Sequence, residues 1–188
     1  MPESSQRKVL FVQGAGDKDE PDGSGRLIAS LRDALGDGYA VLAPRMPEAA
    51  TDPRYGAWAG RIEQELAGMG ARPILVGHSL GGSVLLRWLA AGGYDRPVGG
   101  LFLVATPDWG PGGWDYAQFA VPEGFAATLP PIDRIVLYHA RDDPEVPFTH
   151  LGWYAERLPQ ALVRELDEGG HSFVGGLPQL AEDVRAVR

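Results

Sequence analysis

The stretch from Ile74 to Gly82 limits what this chain can fold into more than any other segment. It is an apolar run that ends in a serine, Ser79, with glycines two positions before and two positions after it. Glycine has no β-carbon, so this spacing lets a strand and the following helix approach closely at a tight turn. The serine then adopts a strained backbone conformation, and its hydroxyl stands above the carboxyl end of the strand. The pattern predicts a buried strand, a sharp turn and a helix that begins at Ser79.

The residues around this turn agree with that prediction. Residues 74–76 are β-branched or leucine, and residues 83–90 have the apolar density of a central buried helix. The same five-residue pattern also occurs by chance, and any α/β chain needs glycines where a strand turns into a helix. The motif alone therefore leaves two alternatives, a structural turn and a catalytic serine, and the rest of the chain must decide between them.

Strand and helix patterns alternate along the whole chain of 188 residues. Several strands are continuous apolar runs, which is typical of parallel strands covered by helices on both faces. We therefore expect an α/β fold: a three-layer α/β/α sandwich around a mostly parallel six-stranded sheet, in one domain over residues 1–188 without a lid domain. Asp52 is the expected cap of the second helix, with Pro53 in its first turn. The predicted strands are 8–13, 39–43, 74–76, 101–105, 135–139 and 161–166. The predicted helices are 24–35, 53–66, 79–90, 114–129, 148–158 and 177–187.

The overall charge narrows the possible partners. The formal net charge is −8, which disfavours nucleic acid and anionic membranes because both bind basic surfaces. The chain has no cysteine, which excludes a disulfide framework, a thiolate nucleophile and cysteine-bound metal. No apolar signal region precedes the first strand and no apolar run reaches the length of a membrane span, so we expect a cytoplasmic protein. A small neutral substrate fits this composition best, and the oligomeric state, monomer or homodimer, stays open.

Polar residues that could assist a serine nucleophile follow the last two predicted strands. A serine needs a base to take its proton and a carboxylate to orient that base. Only residues beyond the carboxyl ends of parallel strands converge on one crevice, which leaves Asp142 and Asp143 after the fifth strand and His171 after the sixth. Each of these alone is also a common turn or loop residue. Together, in the order serine, aspartate, histidine, they favour a catalytic triad with either aspartate as its acid.

The remaining histidines are assigned other roles. His78 occupies the variable position of the serine motif and is expected to line the substrate pocket without catalysing. His139, in a strand, and His150, at a helix start, are predicted to be structural. None of them has a partner at metal-ligand spacing, so neither a metal nor an organic cofactor is expected.

The motifs resemble those of the α/β-hydrolases, and in particular the small serine hydrolases of the retinoblastoma-binding protein 9 group and many bacterial esterase-like proteins. The segments that carry the resemblance are 77–81, 142–147 and 170–171, and the similarity runs from the first strand to the last helix. In the family pattern the catalytic acid is followed by two residues and then by an aliphatic residue and proline. The resemblance therefore implies that Asp143 is the acid and that Asp142 is a turn-capping neighbour.

An oxyanion hole needs two convergent backbone donors. The amide of Leu80, directly after the serine, points toward the group under attack and is the first donor. The resemblance implies that the second lies in the turn after the first strand, where Ala15 is the best candidate. Gln13 stands there in place of a more frequent His-Gly pair, and it is a candidate substrate-pocket residue. Trp109 and Trp114 are candidates for the same pocket, with covering the sheet edge as an equal alternative.

These residues predict a serine hydrolase that transfers the acyl group of small carboxylic esters to water. The alternative from another class is a hydrolase fold kept as a protein-interaction module with a dormant triad. A nucleotide-binding domain is disfavoured, since residues 13–16 lack both the third glycine of a dinucleotide fingerprint and the Gly-Lys-Ser/Thr of a phosphate loop.

Overall fold

A six-stranded sheet forms the centre of the computed structural model, which describes residues 6–110, 113–114 and 116–188. The strands are β1 (Arg7–Val12), β2 (Tyr39–Leu42), β3 (Ile74–His78), β4 (Gly100–Val104), β5 (Ile135–Ala140) and β6 (Leu162–Leu166). The helices are α1 (Gly25–Leu35), α2 (Tyr55–Ala67), α3 (Leu80–Ala90), α4 (Thr149–Arg157) and α5 (Pro178–Arg185). Short 3-10 turns occupy Gly36–Gly38 and Phe125–Thr128.

All neighbouring strands pair in parallel, in the order β2-β1-β3-β4-β5-β6. The chain moves outward in one direction from β1 to β2 and in the other direction from β3 to β6, so the strand order reverses between β1 and β3. In open parallel sheets, ligands bind beyond the carboxyl ends of the strands where this reversal occurs. The residues that directly follow β1 and β3, including Ser79, therefore lie at the expected position of a site.

Apolar side chains of the sheet pack against helices on both faces. Leu10 and Val12 of β1 belong to the core cluster that includes residues of α2, α3 and α4. Val9 and Phe11 of the same strand belong to the cluster that includes residues of α1 and α5. This alternation is what a strand covered on both faces requires. The predicted three-layer α/β/α fold is confirmed, and the sheet is parallel throughout its described strands.

The connection between β4 and β5 differs from the prediction. The sequence predicts a helix over 114–129, but the described part of this segment contains only the 3-10 turn Phe125–Thr128. Gly124, directly before that turn, has a φ of 69°, a left-handed conformation that interrupts a helix. Phe119 and Phe125 are buried in the cluster of α2, α3 and α4, so the aromatic residues pack without helical periodicity. Residues 111, 112 and 115 lie outside the described residues. No lid domain is evident in the rest of this connection.

The second helix, α2, begins at Tyr55, two residues later than predicted. Arg54 precedes it in an extended conformation, with φ −117° and ψ 129°. The Asp52 carboxylate accepts a hydrogen bond from the Arg54 guanidinium at 2.8 Å, whereas the Tyr55 amide donates to Gln118 Oε1 at 3.1 Å. The prediction that Asp52 caps this helix is wrong, because a glutamine distant in sequence takes the free amide. The buried residues of α2 are Trp58, Ile62 and Leu66, which lie at helical spacing on one face.

The helices are short compared with a membrane span. The longest, α2, has 13 residues, and no helix in the described ranges is long and apolar enough to cross a bilayer.

Candidate active site

Ser79 sits in a strained turn between β3 and α3. Its backbone angles are φ 51° and ψ −124°, outside the regions that L-residues favour. A β-carbon on Gly81 would collide with the Val12 carbonyl oxygen, and one on Gly77 would lie 2.5 Å from the Gly82 backbone. Only glycine fits at these two positions without a shift of the backbone. The spacing of glycines around the serine in the sequence thus has a direct steric cause.

Ser79 and His171 line one cavity beyond the carboxyl ends of β1 and β3. The cavity has a volume of about 250 Å³. The turn after β1 forms one wall, and the residues that lead into α1 form another. Glu145, in the loop after β5, contributes a carboxylate that sequence analysis did not single out. The full lining is Gly14, Ala15, Gly16, Asp17, Glu20, Asp22, Gly23, Ser24, His78, Ser79, Glu145 and His171.

His171 is held by Asp143 and not by Asp142. The ring Nδ1 of His171 lies 2.9 Å from Asp143 Oδ2, and the Asp143 side chain is fully buried while the His171 side chain is 8% exposed. Asp142 Oδ1 instead accepts a hydrogen bond from the Gly170 amide at 2.8 Å. The two aspartates therefore have separate contacts: Asp143 binds the imidazole, and Asp142 binds the backbone that leads into His171.

Four nitrogen atoms surround the Asp143 carboxylate. Oδ1 accepts from the amides of Glu145 at 2.8 Å and Val146 at 2.9 Å, and Oδ2 lies 3.1 Å from His139 Nε2 in addition to His171 Nδ1. Burial opposes ionisation, but the hydrogen bonds from His139, His171 and the Val146 amide outweigh it and hold the pKa of Asp143 well below its usual range. Asp143 is therefore a carboxylate over the whole physiological pH range, as the orienting acid of a triad must be.

The other ring nitrogen of His171, Nε2, faces the cavity. Glu145 Oε2 lies 3.7 Å from it. Within the residues that the structure describes, no hydrogen bond joins Nε2 to Ser79 Oγ. Catalytic hydrogen bonds are often long until substrate binds, and both side chains line the same cavity of about 250 Å³. The arrangement leaves Nε2 available for proton exchange with the serine hydroxyl and with a leaving group.

Two backbone amides beside Ser79 have no acceptor among the residues that the structure describes. Gly14 N–H donates to Ser24 Oγ at 2.9 Å and Gly16 N–H donates to the Ala49 carbonyl at 2.7 Å. The Ala15 amide between them, and the Leu80 amide at the first position of α3, donate to no acceptor in the described part of the chain. A β-carbon on Gly14 would lie 3.2 Å from the Ser79 β-carbon, so this turn rests against the serine. Among the described residues, neither of the two predicted oxyanion donors beside Ser79 has an acceptor.

The predicted pocket residues are divided by the structure. His78 lines the cavity, but Gln13, Trp109 and Trp114 do not. Gln13 is buried and holds the turn after β1, where its Nε2 donates to the Gly16 carbonyl at 3.1 Å. Trp109 Nε1 donates to Ser83 Oγ at 2.8 Å, and its ring meets Trp114 edge to face, with 5.1 Å between ring centroids. Trp109 also packs against the core cluster of α2, α3 and α4, whereas Trp114 is 37% exposed.

The remaining histidines have backbone partners. His139 Nε2 lies 2.9 Å from the Val146 carbonyl oxygen. The same nitrogen lies near Asp143, and the only sign of this second contact in the sequence is that the two residues are four positions apart. His150 Nδ1 accepts from the Asp108 amide at 2.9 Å. Among the described residues there is no group of three or more His, Asp or Glu side chains that could hold a metal ion.

A parallel sheet with a strained serine turn after β3, and an aspartate and a histidine after β5 and β6, defines the α/β-hydrolase fold. The family model described as "Serine hydrolase" matches residues 39–176, and the chain belongs to this family. None of the curated proteins matches the sequence.

Solved structures with the same architecture include a thioesterase domain and proteins whose names state no activity. The ydeN gene product from B. subtilis has a TM-score of 0.78 at 20% sequence identity, covering 97% of this chain and 98% of its own. Est1E from Butyrivibrio proteoclasticus has a TM-score of 0.68 at 15% identity, covering 98% and 87%. The thioesterase domain from the curacin biosynthetic pathway has a TM-score of 0.63 at 14% identity, covering 96% and 90%. At these identities the likeness establishes the fold alone.

Proposed function

We propose that this protein hydrolyses small carboxylic esters, with Ser79 as the nucleophile, His171 as the base and Asp143 as the orienting acid. The observation that carries the proposal is the contact of 2.9 Å between His171 Nδ1 and Asp143 at the cavity that also contains Ser79. Membership of the serine hydrolase family supports the same reaction class. The thioesterase domain from the curacin biosynthetic pathway, which shares the fold, has a name that agrees with acyl transfer.

The geometry is compatible with acyl transfer in two steps. Ser79 Oγ attacks the ester carbonyl carbon while its proton passes to His171 Nε2, and the Leu80 and Ala15 amides donate to the resulting oxyanion. The carbon–oxygen bond to the alcohol then breaks, and the alcohol leaves with the proton from Nε2. A water molecule next attacks the acyl-serine, again giving its proton to Nε2. Collapse of the second intermediate releases the carboxylic acid and returns the proton to Ser79. Asp143 fixes the imidazole tautomer throughout.

The size of the cavity favours small substrates. Its volume of about 250 Å³ lies below the roughly 300–1,000 Å³ of pockets that enclose drug-sized ligands. Esters with short acyl chains are therefore the proposed substrate class. The closer kinship with the retinoblastoma-binding protein 9 group and the cytoplasmic location stay predictions.

Labelling with a fluorophosphonate tests the nucleophile directly. The wild-type protein is expected to form a covalent adduct and to hydrolyse p-nitrophenyl acetate. Ser79→Ala is expected to lose the adduct and about 10⁴- to 10⁶-fold in turnover. Ser30→Ala is the control. It removes the hydroxyl of a serine in α1, and this variant should label as the wild type does.

Equal labelling of wild type and Ser79→Ala would contradict the assignment of the nucleophile. A wild-type protein that is neither labelled nor active on any ester of a panel with acyl chains of two to ten carbons would favour the alternative, a hydrolase fold that serves as an interaction module.

A further inference from the structure

His78 joins the two loops that surround Ser79. Its side chain is buried, and it directly precedes Ser79 in the chain. Nε2 of His78 lies 2.9 Å from the carbonyl oxygen of His171, and Nδ1 lies 2.8 Å from Ser24 Oγ. The first contact reaches the loop that carries the proposed base. The second reaches the residue before α1, on the side of the turn that follows β1.

Ser24 extends this chain of hydrogen bonds to the proposed oxyanion turn. Its hydroxyl oxygen, also buried, accepts from the Gly14 amide at 2.9 Å. Gly14 is the residue that rests against the Ser79 β-carbon, and Ala15 is the next residue along. The position of the Ala15 amide therefore depends on where Ser24 holds Gly14.

The series of hydrogen bonds runs from the Gly14 amide through Ser24 and His78 to the His171 carbonyl. These two end groups fix which atom donates in each bond. The His171 carbonyl can only accept, so His78 Nε2 carries a proton and donates it. The Gly14 amide can only donate, so Ser24 Oγ accepts there and turns its own hydrogen toward His78 Nδ1. One neutral tautomer of His78 satisfies all three bonds. Burial, assisted by the neighbouring His171, lowers the pKa of His78 to about 3, so the imidazole is uncharged at neutral pH.

We propose that Ser24 and His78 are positioning residues. They hold the turn after β1, which contains Ala15, and the loop that carries His171 in fixed positions on either side of Ser79. This role rests on the proposed function, because it acts through the Ala15 amide and through His171. Both of those groups act on charge that develops in the transition state. A misplaced turn or base therefore lowers kcat more than it raises KM.

The test is a double-mutant cycle on ester hydrolysis with Ser24→Ala, His78→Phe and the double variant. His78→Phe keeps a ring but loses both hydrogen bonds, and Ser24→Ala loses one hydroxyl. Ser24→Thr retains a hydroxyl and serves as the conservative rescue. Tyr138→Phe is the matched control, because it removes a buried hydrogen bond of 2.8 Å to Asp183, a residue of α5 outside the cavity. Fluorophosphonate labelling and a thermal unfolding curve are recorded for every protein.

The expected result is a loss of about 10- to 100-fold in kcat for each single variant, below the 10²- to 10³-fold that removing an oxyanion donor costs. KM should stay within about threefold, and the double variant should lose no more than the worse single variant, because both act through one chain. Ser24→Thr should recover most of kcat, and Tyr138→Phe should keep it.

Three results would overturn the positioning role while the wild type remains labelled and active: Ser24→Ala with wild-type kcat, a loss confined to KM, or single losses that multiply in the double variant. If His78→Phe does not fold, Ser24→Ala and Ser24→Thr decide alone. A wild-type protein without labelling or turnover would instead refute the proposed function, and the positioning role with it.

Discussion

At the scale of single residues, the two neighbouring aspartates differ in what they contact. Asp143 accepts from His171 Nδ1 at 2.9 Å, and Asp142 accepts from the Gly170 amide at 2.8 Å. An asparagine keeps an acceptor oxygen, so it can replace Asp142 toward a backbone amide. In the proposed mechanism, an asparagine in place of Asp143 cannot supply the negative charge that the protonated His171 needs in the transition state, and its amide can favour the wrong imidazole tautomer.

We therefore expect Asp143→Asn to lower kcat by about 10⁴-fold and Asp142→Asn to lower it by less than about tenfold. Steady-state hydrolysis of p-nitrophenyl acetate by the two variants measures the difference, and each is the control for the other. Equal losses, or a larger loss in Asp142→Asn, would show that the acid has been assigned to the wrong residue.

At the scale of elements, the turn between β3 and α3 requires glycine for steric reasons, whereas some glycines elsewhere in the chain could be replaced. A β-carbon on Gly81 would collide with backbone carbonyl oxygens of Val12 and Gln13, and those atoms cannot rotate away. Gly60, inside α2, has open space where a β-carbon would lie. The same substitution should therefore have opposite effects in the two helices.

Gly81→Ala is expected to destabilise the protein by about 3 kcal/mol or more, at the upper end of overpacking effects. Gly60→Ala is expected to stabilise it by about 0.5–1 kcal/mol, since alanine loses less backbone entropy in a helix. Urea unfolding midpoints of both variants test this pair. A Gly81→Ala protein as stable as the wild type would mean that strand and helix approach less closely than described.

At the scale of the whole molecule, His78 couples folding to pH. Its pKa is lowered from an ordinary value of 6.5 to about 3 in the folded state, chiefly by burial. Between these two values the unfolded chain binds a proton that the folded protein does not. The stability contribution of neutral His78 is therefore complete above about pH 6.5 and declines as the pH falls toward 3.

In the wild-type protein, His78 should lower the free energy of unfolding by up to about 1.4 kcal/mol for each pH unit below about pH 6. Urea unfolding between pH 4.5 and 6.5 measures this slope and stays above the range in which Asp143 protonates. Burial also lowers the pKa of His150, which adds a slope of the same sign. His150 is present in the wild type and in the variant His78→Phe, so its contribution cancels when the two are compared. His78→Phe should therefore show a shallower slope, and equal slopes would mean that His78 is not held neutral by the fold.

Most of the architecture could be predicted from the sequence. Continuous apolar runs such as 101–105 predict covered parallel strands, and the glycines around Ser79 predict the strained turn, because both signals depend on residues close together in the chain. The expected helix over 114–129 was wrong, since Phe119 and Phe125 pack against the cluster of α2, α3 and α4 from a largely irregular segment. For Trp109 and Trp114 the sequence leaves a pocket wall and a cover of the sheet edge as equal alternatives, because aromatic composition does not distinguish between them.

The amino-acid sequence by itself determines the layers of this protein and the strand ends from which its candidate active-site residues come, because apolar periodicity and glycine placement act locally. Only the tertiary structure decides that Asp143 and not Asp142 reaches His171, 28 residues away, and that Ser24 meets His78, 54 residues away. Such contacts depend on where each strand ends and on how helices pack across the whole sheet. The physical reason is that successive side chains along a strand point in opposite directions. The apolar pattern predicts the strand but not its last residue, so it cannot tell which of two neighbouring side chains points toward the site.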